Sequence, residues 1–407
     1  MNKPKTPKTM KTRQLISLFY CYLAILCSLS ACGQDSADPE TDDPIDQTDD
    51  DPVTPPGGEE DGKTLVYEEG TDGYQVFRIP AIVKTTAGTL LAFAEARKLK
   101  SNGDSGDIDL VVKSSSDNGK TWSDMQMIWD DGLNTCGNPV PIVDTETGRI
   151  HLLMTWNHGD DDWGELTSAT GKDTRRVYYS WSDNDGQNWT SPEEITSSVK
   201  DDTWDWYGTG PVHGIQLQKG EYKGRLISPN YFTVRRNGKA ESYSHVIYSD
   251  DHGVTWKSGN PAPKAQSGEC TVAEMENGEL MLNIRTSAAN ARRISTSDDG
   301  GQTWTDPQTV YALTDPHCQG SMVTSDTTPY RLFFANAAST ERVNMTLKMS
   351  EDNGASWPKQ KIIHPGPSAY SDLVIISESE IGILYEGGEG RPYESIVFET
   401  VPLTELK

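Results

Sequence analysis

The 407-residue chain is strongly acidic, with 61 Asp and Glu residues against 36 Lys and Arg residues and a formal net charge of −25. Such an excess of negative charge argues against nucleic acid or an anionic membrane surface as a partner. The sequence has no Cys/His cluster with metal-ligand spacing and no Gly-rich phosphate loop at a strand–helix junction, so we predict neither a metal site nor a cofactor.

The N-terminus, residues 1–31, has the pattern of a secretory signal peptide. A basic start leads into an apolar run from Leu15 to Leu29, which is too short and wrongly flanked for a stable membrane span. The sequence Leu-Ser-Ala-Cys at 29–32 resembles the bacterial lipobox, which implies cleavage before Cys32 and lipidation of its thiol. An ordinary cleavage near Ala31 is the alternative. The lipobox implies a protein that a lipid anchors to the bacterial cell envelope.

Residues 32–62 form an acidic segment with almost nothing apolar. After Cys32 it consists mainly of Asp, Glu, Pro, Thr and Gly and contains no Lys or Arg, so it cannot bury a core. The run from Asp42 to Asp51 lacks the Gly and the terminal Glu of a calcium loop. We therefore predict a disordered tether that carries the lipidated Cys32, and a membrane contact made only through that anchor.

An eight-residue motif, Ser-x-Asp-x-Gly-x-x-Trp, recurs in the remaining residues, 63–407. Its five copies, here called boxes, span residues 115–122, 182–189, 249–256, 297–304 and 350–357, and the second has Asn184 in place of the Asp. Ser and Asp side chains accept backbone N–H bonds in turns, and Gly adopts the positive φ that such turns need. The Trp supplies a large apolar plate. We predict that the boxes support the scaffold and take no part in catalysis.

Short strands recur together with the boxes and give the domain a sixfold repeat. The predicted first strands are 78–83, 138–143, 213–217, 270–275, 319–323 and 370–376, and the second strands are 89–93, 150–154, 225–228, 279–283, 331–334 and 381–385. Six units, each a four-stranded antiparallel meander, describe an all-β fold, the six-bladed β-propeller. A two-sheet sandwich is the alternative, but it does not explain a box locked to one turn of each unit.

Propeller geometry predicts where a binding site can lie. First strands line the central axis and second strands return antiparallel to them, so first-strand starts and second-strand ends share one rim. The polar residues near first-strand starts are Arg78, Asn138, His213, Glu269, Gln319 and Tyr370. Those near second-strand ends are Glu95, Arg97, Trp156, Arg285, Arg342, Tyr385 and Glu386. The acidic loop 103–109, which contains Asp104, leads back from the same rim.

Four arginines at one axial rim of an acidic protein indicate a site for a small anion. The guanidinium group presents a planar fork of donors that matches a carboxylate or a phosphate. Surface salt bridges are the simpler explanation and stabilise little. They fit poorly with several arginines that have few balancing carboxylates beside them.

Specific motifs at this rim resemble those of the bacterial and animal exo-α-sialidases, or neuraminidases. The motifs are Phe-Arg-Ile-Pro at 77–80, the repeated boxes, the spaced arginines and Ala-Tyr-Ser-Asp-Leu at 369–373. The boxes alone are weak signals, because unrelated propellers carry them, but the combination is specific. The resemblance extends from about Leu65 to the end of the chain and implies one sialidase propeller at 63–407.

The resemblance also implies roles for individual residues. The implied catalytic set consists of the carboxylate-binding arginines Arg78, Arg285 and Arg342, the nucleophile Tyr370, its general base Glu269 and the acid/base Asp104. Glu386 is expected to orient Arg78. The implied partner is a sialylated glycan, and we expect the protein to be a monomer.

A tyrosine nucleophile suits this substrate class. Sialic acid carries its carboxylate on the anomeric carbon, so an Asp or Glu nucleophile would approach against like charge. Sialidases are accordingly an exception to the two-carboxylate pattern of glycosidases. A tyrosine with an ordinary pKa of about 10 needs a base within hydrogen-bond reach, and Glu269 matches that role. Asp104 would protonate the leaving oxygen and then activate water, which retains the anomeric configuration.

Five further pocket residues follow from the resemblance, and each of them has a purely structural alternative. Arg97 matches a position near O4 of the sugar. Trp156 and Trp163 resemble an aromatic wall for the N-acetyl methyl group. Asn138 falls where some bacterial members carry Asp, which leaves that contact open, and Gln319 resembles a residue near the glycerol tail.

The sequence leaves three functions in competition. The first is a retaining exo-α-sialidase that hydrolyses terminal sialic acid from glycoproteins, glycolipids and oligosaccharides. A trans-sialidase or an intramolecular trans-sialidase would share every catalytic residue and differ in its product. A non-catalytic sialic-acid-binding propeller should lack Tyr370, Glu269 or Asp104, and this chain has all three.

Overall fold

In the part of the chain that the structure describes, the regular elements are strands, apart from three short helices. The structure, a computed structural model, describes residues 62–99, 103–325 and 327–407, which all lie in one compact unit, Gly57–Lys407. The predicted signal peptide, Cys32 and the acidic tether up to residue 61 lie outside the described residues. Within the described ranges, no helix is long and apolar enough to cross a membrane.

The elements follow one another closely along the chain. The first twelve strands are β1 (Lys63–Glu68), β2 (Val76–Lys84), β3 (Leu90–Arg97), β4 (Ile108–Ser115), β5 (Gln126–Trp129), β6 (Thr135–Val143), β7 (Ile150–Asn157), β8 (Arg176–Ser182), β9 (Glu193–Glu194), β10 (Trp204–Thr209), β11 (Ile215–Gln216) and β12 (Leu226–Arg236). The others are β13 (Lys239–Ser249), β14 (Lys257–Ser258), β15 (Ser267–Glu274), β16 (Leu280–Thr286), β17 (Ala291–Ser297), β18 (Gln308–Thr314), β19 (Ser321–Ser325), β20 (Arg331–Ala337), β21 (Val343–Ser350), β22 (Lys359–Ser377), β23 (Glu380–Gly387) and β24 (Ser395–Pro402). The helices are α1 (Trp163–Ser168), α2 (Thr196–Val199) and a 3-10 turn (Leu403–Glu405).

The strands pair into four sheets whose order follows the chain. The first sheet runs β2-β3-β4-β6-β7-β8-β9 with β5 on β4, and one parallel bridge between Ile108 and Thr135 joins β4 to β6. The second runs β10-β12-β13-β14 with β11 on β12, and the third runs β15 to β18. The fourth runs β1-β24-β23-β22-β21-β20-β19, in which the long β22 pairs first with β21 and then with β23. All other pairings are antiparallel, so the sheets are built from successive hairpins.

The strands predicted from the repeat are confirmed, and two strands and the three helices had been missed. All six first strands and all six second strands overlap an observed strand, although the third first strand is only two residues long, Ile215–Gln216. The missed strands are β1 and β10. β1 pairs with β24 from Lys63 opposite Glu399 to Glu68 opposite Ser395, so the two ends of the described domain meet in one sheet.

Each box closes its turn through local hydrogen bonds. In the first box, Ser115 Oγ accepts the Gly119 N–H at 2.8 Å and Asp117 Oδ1 accepts the Thr121 N–H at 3.0 Å. The Ser–Gly bond recurs in the other four boxes. The five box glycines have φ between 77° and 90°, which a side chain at Cβ disfavours. The turn chemistry predicted for the boxes is therefore confirmed.

The box tryptophans pack against neighbouring sections of the sheets. Trp122 contacts Phe398 of β24 with ring centroids 5.5 Å apart, and Trp189 contacts Phe93 of β3 at 5.7 Å. The packing at the first box is tight, because a Cβ added at Gly119 would lie 2.1 Å from the Phe398 ring. The boxes thus hold adjacent strands together at their outer turns, away from the polar residues described next.

Candidate active site

All six residues predicted to be catalytic line one cavity of about 510 Å³. They are Arg78 on β2, Asp104 in the loop between β3 and β4, Glu269 on β15, Arg285 on β16, Arg342 just before β21 and Tyr370 on β22. These elements belong to three of the four sheets, so distant parts of the chain build the cavity together. A cavity of this size matches ordinary small-molecule sites, which occupy roughly 300–1,000 Å³.

At the base of the cavity, Tyr370 and Glu269 share a short hydrogen bond. Tyr370 Oη lies 2.5 Å from Glu269 Oε1, and the other oxygen of Glu269 accepts from Arg285 Nη1, also at 2.5 Å. Arg285 Nη1 lies 3.1 Å from Tyr370 Oη as well. Burial and the Glu269 charge raise the pKa of Tyr370 well above its usual value, while Arg285 and Arg78 oppose the rise. The phenol is therefore neutral and hydrogen-bonded to the carboxylate that can accept its proton.

Arg78 is held by a buried carboxylate on the opposite side of Tyr370. Its Nε and Nη2 donate to the two oxygens of Glu386 at 3.1 and 3.2 Å, and Glu386 also accepts the backbone N–H groups of Ile79 and Tyr370. Burial alone would lower the pKa of Arg78, but Glu386 raises it, so the guanidinium stays charged. Ile79 has φ of 59°, a strained value for a β-branched residue, in the bulge where β2 slips register against β3. The Glu386 bonds stabilise this backbone and so fix Arg78.

The third arginine, Arg342, contacts the hydroxyl group of Tyr393. Its Nη1 donates to Tyr393 Oη at 2.7 Å, and the Tyr393 ring also lies under the Arg78 guanidinium at 4.1 Å. Among the described residues, no carboxylate forms an ion pair with Arg342, whereas Arg78 and Arg285 each have one. The cavity therefore presents a positive group that still lacks an anionic partner, which suits a ligand carboxylate.

Asp104 also lines the cavity and is half exposed. Arg97 Nη2 donates to Asp104 Oδ1 at 3.1 Å and to Glu95 Oε2 at 2.5 Å, and Arg97 itself is buried. Partial removal from water raises the pKa of Asp104, but the charges of Arg97, Arg78 and Arg175 outweigh this and hold it below the usual value. In the free protein, Asp104 is thus an ionised carboxylate with access to the cavity.

Of the five further pocket residues, four do not line this cavity, namely Asn138, Gln319, Trp156 and Arg97, and these expectations are corrected. Asn138 is buried and spans Arg175 and the Thr209 carbonyl, and Gln319 is buried against the backbone of Ser371. Both amides satisfy polar backbone or side-chain groups inside the protein. Trp156 packs on the outer side of β7, where its indole N–H donates to Asp131. Alternation along β7 turns Thr155 toward Arg175 and therefore Trp156 away from it.

One of the further pocket predictions and two residues that sequence reasoning missed line the cavity. Trp163 lines it from the first turn of α1 and is 52 % exposed, whereas Arg97 contributes by holding Asp104. Trp206 on β10 and Tyr231 on β12 also line it, and the Trp206 indole donates to Tyr231 Oη at 3.0 Å. Sequence reasoning missed these two because β10 was not predicted and Tyr231 lies in the middle of a strand, away from its ends.

Within the described residues, no group of three or more His, Cys, Asp or Glu side chains has the arrangement of a metal site. The polar groups of the cavity instead fit an anionic organic ligand. They comprise an arginine cluster, a hydrogen-bonded Tyr–Glu pair and a separate carboxylate. This donor set can bind a carboxylate, deliver a nucleophile and transfer a proton to a bound molecule.

Comparison with known proteins relates the chain to enzymes of one family. A family described as BNR repeat-like domain matches residues 88–383. The sialidase of Bacteroides fragilis is 31 % identical over 363 residues, which cover 84 % of this chain and 64 % of that protein. The structure of a Hadza microbial sialidase, Hz136, aligns with a TM-score of 0.77 and 31 % identity, over 85 % of this chain and 69 % of that one.

A more distant structure shares the fold. The leech intramolecular trans-sialidase aligns with a TM-score of 0.71 at 18 % identity, over 87 % of this chain and 71 % of that one. The sialidases to which the chain is similar are β-propellers, and the all-β architecture described above agrees with theirs. The BNR match, the identity to sialidases and the shared architecture lead to one conclusion: the chain belongs to the sialidase family.

Proposed function

We propose that the protein is a retaining exo-α-sialidase in which Tyr370 is the nucleophile. The observation that carries this proposal is the 2.5 Å contact between Tyr370 Oη and Glu269 Oε1, in the same cavity as three arginines and Asp104. A tyrosine and a carboxylate so close together form a nucleophile–base pair. Family membership supports the reaction class, while the chain spans less than two thirds of the Bacteroides fragilis relative.

Substrate binding begins with the carboxylate of a terminal sialic acid. Arg342, which has no carboxylate partner among the described residues, supplies the open positive site, and Arg78 and Arg285 flank it. Glu386 keeps Arg78 in place, so little side-chain entropy is lost on binding. Anchoring the carboxylate also fixes the anomeric carbon that bears it, because the two groups are directly bonded.

In the first chemical step, the Tyr370 oxygen attacks the anomeric carbon and breaks its bond to the leaving oxygen. Glu269 takes the phenolic proton through the hydrogen bond already present. The leaving oxygen takes its proton from Asp104. A neutral phenol approaches the negatively charged sugar without the repulsion that a carboxylate nucleophile would meet.

In the second step, Asp104 acts as a base. Its carboxylate, ionised after the first step, removes a proton from water, and the water oxygen displaces Tyr370 from the anomeric carbon. Glu269 then returns its proton to the phenolate. Two displacements at one carbon retain the anomeric configuration. The depressed pKa of Asp104 in the free site favours this basic form. A bound sugar excludes water and offsets the arginine charge, and both effects raise that pKa toward the acid form needed first.

We further propose that the strands form six four-stranded blades around a central axis. The pairings support this grouping, because they divide into six consecutive sets of four. The sets are β2–β5, β6–β9, β11–β14 with β10 added, β15–β18, β19–β21 with the first half of β22, and the second half of β22 with β23, β24 and β1. The single parallel bridge between β4 and β6 then joins two blades at their edges.

The lipobox at 29–32 supports a further proposal, that lipid on Cys32 anchors the enzyme to the cell envelope. Metabolic labelling with an alkyne fatty acid tests it. We expect label on the wild-type protein and none on Cys32→Ser, whereas equal labelling of both would exclude this anchor.

The test of the enzymatic proposal is turnover of a fluorogenic α-sialoside by the purified protein. We expect robust release by the wild type and a loss on the order of 10³-fold or more in kcat for Tyr370→Phe. Tyr311→Phe, at an exposed position on β18, is the matched control and should retain full activity. Inactive but folded wild-type protein that still binds sialic acid would instead support a binding propeller.

Product analysis separates the enzymatic alternatives. For the retaining hydrolase, NMR spectroscopy should detect the α-anomer of free sialic acid before it mutarotates. The β-anomer as first product would exclude retention. An anhydro sugar, one water lighter by mass, would identify an intramolecular trans-sialidase, and transfer to added lactose would identify a trans-sialidase.

A further inference from the structure

A buried arginine outside the predicted catalytic set, Arg175, lies behind the cavity wall. It precedes β8, is fully buried, and its Nη2 donates only to neutral acceptors, Asn138 Oδ1 and Thr155 Oγ1, each at 3.0 Å. Two other fully buried arginines, Arg97 and Arg292, contact carboxylates. Among the residues that the structure describes, Arg175 has no such partner, and its Nε and Nη1 have no hydrogen-bond acceptor.

Contacts link Arg175 to the cavity on two sides. On one side, Asn138 accepts from Arg175 and donates its backbone N–H to Glu95, whose carboxylate binds the Arg97 that in turn holds Asp104. On the other side, the Arg175 guanidinium stacks 3.8 Å from the Trp206 ring. Trp206 lines the cavity, as does the Tyr231 hydroxyl that accepts its indole N–H. The cation is thus fixed at the corner between Asp104 and the aromatic wall.

The charges around Asp104 do not balance without Arg175. Glu95 accepts two bonds from Arg97, and this buried pair is close to neutral. Arg78, the next cation, is offset by Glu386. The remaining neighbour on the wall, Tyr231, is neutral because burial and Glu269 raise its pKa. Arg175 is therefore the one buried cation near Asp104 whose charge no contacting carboxylate cancels, among the described side chains.

We propose that Arg175 is a positioning residue that controls the protonation of Asp104 through its fixed, unpaired charge. The proposal rests on the proposed function, in which Asp104 must be an acid in one step and a base in the next. The Arg175 guanidinium is held by neutral acceptors and an aromatic ring, and no carboxylate contacts it. Its positive charge is therefore not cancelled locally and acts on Asp104. Arg175 and Asp104 each affect the pKa of the other, which agrees with this placement.

The sign of the effect follows from the role of Asp104. The Arg175 charge favours the ionised carboxylate, so in the complex with substrate kcat falls with rising pH once Asp104 loses its proton. Removing the Arg175 charge disfavours ionisation of Asp104. The fall in rate at high pH, the alkaline limb of the profile, therefore moves to higher pH. A unit charge that acts on a carboxylate in a partly solvated site gives a shift of about one pH unit.

The experiment compares kcat–pH profiles of the wild type with those of Arg175→Met and Arg175→Gln. Both variants are neutral but differ in shape, and Gln can keep the bonds to Asn138 and Thr155 if Met does not fold. We expect the alkaline limb to move up by about one unit in each folded variant. Arg225→Met is the matched control, because Arg225 is also buried and stacked on a tyrosine but lies outside the cavity.

A second readout separates this inference from the proposed function. The carboxyl ¹³C resonance of Asp104, assigned with Asp104→Asn, gives its pKa without turnover. A higher pKa in both variants supports Arg175 as the controlling charge even if the wild type hydrolyses no sialoside. An unchanged resonance titration and an unmoved alkaline limb in folded variants would overturn the proposal, as would an equal shift in Arg225→Met.

Discussion

The boxes and the cavity are both built from hydrogen-bonded polar side chains, but the sequence separation between bonded partners is short in the boxes and long in the cavity. In a box, Ser115 and Asp117 satisfy N–H groups within six residues of themselves. In the cavity, Tyr370 binds a carboxylate 101 positions away, and Arg78 binds one 308 positions away. The boxes can therefore be copied five times along the chain, whereas the cavity exists only when distant strands come together.

The two regions also differ in how completely their charges are satisfied. The carboxylate of Asp117 accepts from Ser115 and twice from Thr121, and hydrogen bonds of this kind lower its pKa to about 2. In the cavity, Arg342 has no carboxylate partner among the described residues. Arg78 and Arg342 both lie over the ring of Tyr370, and Arg285 donates to its hydroxyl. The hydrogen bonds within each box stabilise the fold, while the positive charge of Arg342, which no carboxylate balances, remains available for a ligand.

The largest effect should come from removing the base in the cavity. Glu269→Gln keeps the shape but cannot accept the Tyr370 proton, so we expect kcat to fall by about 10²- to 10⁴-fold. Steady-state hydrolysis of a fluorogenic α-sialoside measures the loss. Glu279→Gln, at an exposed position on the loop before β16, is the control and should retain wild-type kcat. Comparable activity in Glu269→Gln and the control would remove Glu269 from the mechanism.

Glu386 tests how strongly the cavity depends on one buried carboxylate. Glu386→Gln leaves Arg78 as an uncompensated buried charge and weakens the bonds to the Ile79 and Tyr370 N–H groups. Breaking a buried pair in this way destabilises a protein by about 3 kcal/mol or more. Urea unfolding should detect the loss of stability, and steady-state kinetics should show a raised KM.

Glu378→Gln, an exposed replacement in the turn between β22 and β23, serves as the control for Glu386. The midpoint of its urea unfolding should equal that of the wild type. If Glu386→Gln behaved like this control, the bonds from Glu386 would be dispensable for both stability and binding.

Local patterns made the scaffold predictable from the sequence. The hydrogen bonds that close the turn of each box lie within its own eight residues. The strands around the boxes alternate apolar and polar residues, and the chain turns between them at Gly or Asn. The missed β1 has no such partner nearby, since it pairs with β24 more than 300 positions away. A strand that is defined only by long-range pairing leaves little local signal.

The catalytic residues of the site could be predicted from the sequence, but the residues that surround them could be predicted less well. The resemblance identified all six residues that meet in the cavity. It could not identify which face of β7 carries Trp156, because a one-residue change in register exchanges the faces of a strand. Nor could it find Arg175 or Trp206, whose importance lies in a stacking contact between β8 and β10 and not in any motif.

Among the turn glycines, the glycine of the first box should be especially sensitive to substitution. Gly119→Ala places a Cβ 2.1 Å from the Phe398 ring at a φ of 86°. Overpacking and strain together should reduce the free energy of unfolding by about 2–3 kcal/mol. Gly70→Ala is the matched control, since Gly70 has φ of 77° but open space around its Cβ, and it should lose only about 1 kcal/mol.

Thermal unfolding of Gly119→Ala and Gly70→Ala would separate packing from backbone strain. In both variants, kcat per folded molecule should equal that of the wild type, because the boxes are remote from the cavity. Equal destabilisation by the two substitutions would mean that the Phe398 contact adds nothing beyond the left-handed backbone.

The smallest expected effect comes from neutralising one box carboxylate. Asp117→Asn reproduces the natural second box, in which Asn184 Oδ1 accepts from Ser182 Oγ and the Asn188 N–H at 3.0 Å. The loss of stability at pH 7 should be small, roughly 1 kcal/mol or less. Since hydrogen bonds from Thr121 lower the pKa of Asp117 from 3.8 to about 2 in the fold, the carboxylate stabilises the protein above pH 3.8. That contribution disappears as pH falls toward 2, so urea unfolding curves of the wild type and Asp117→Asn should converge there. A difference that stayed constant from pH 7 to pH 2 would show that shape, and not charge, distinguishes the two box residues.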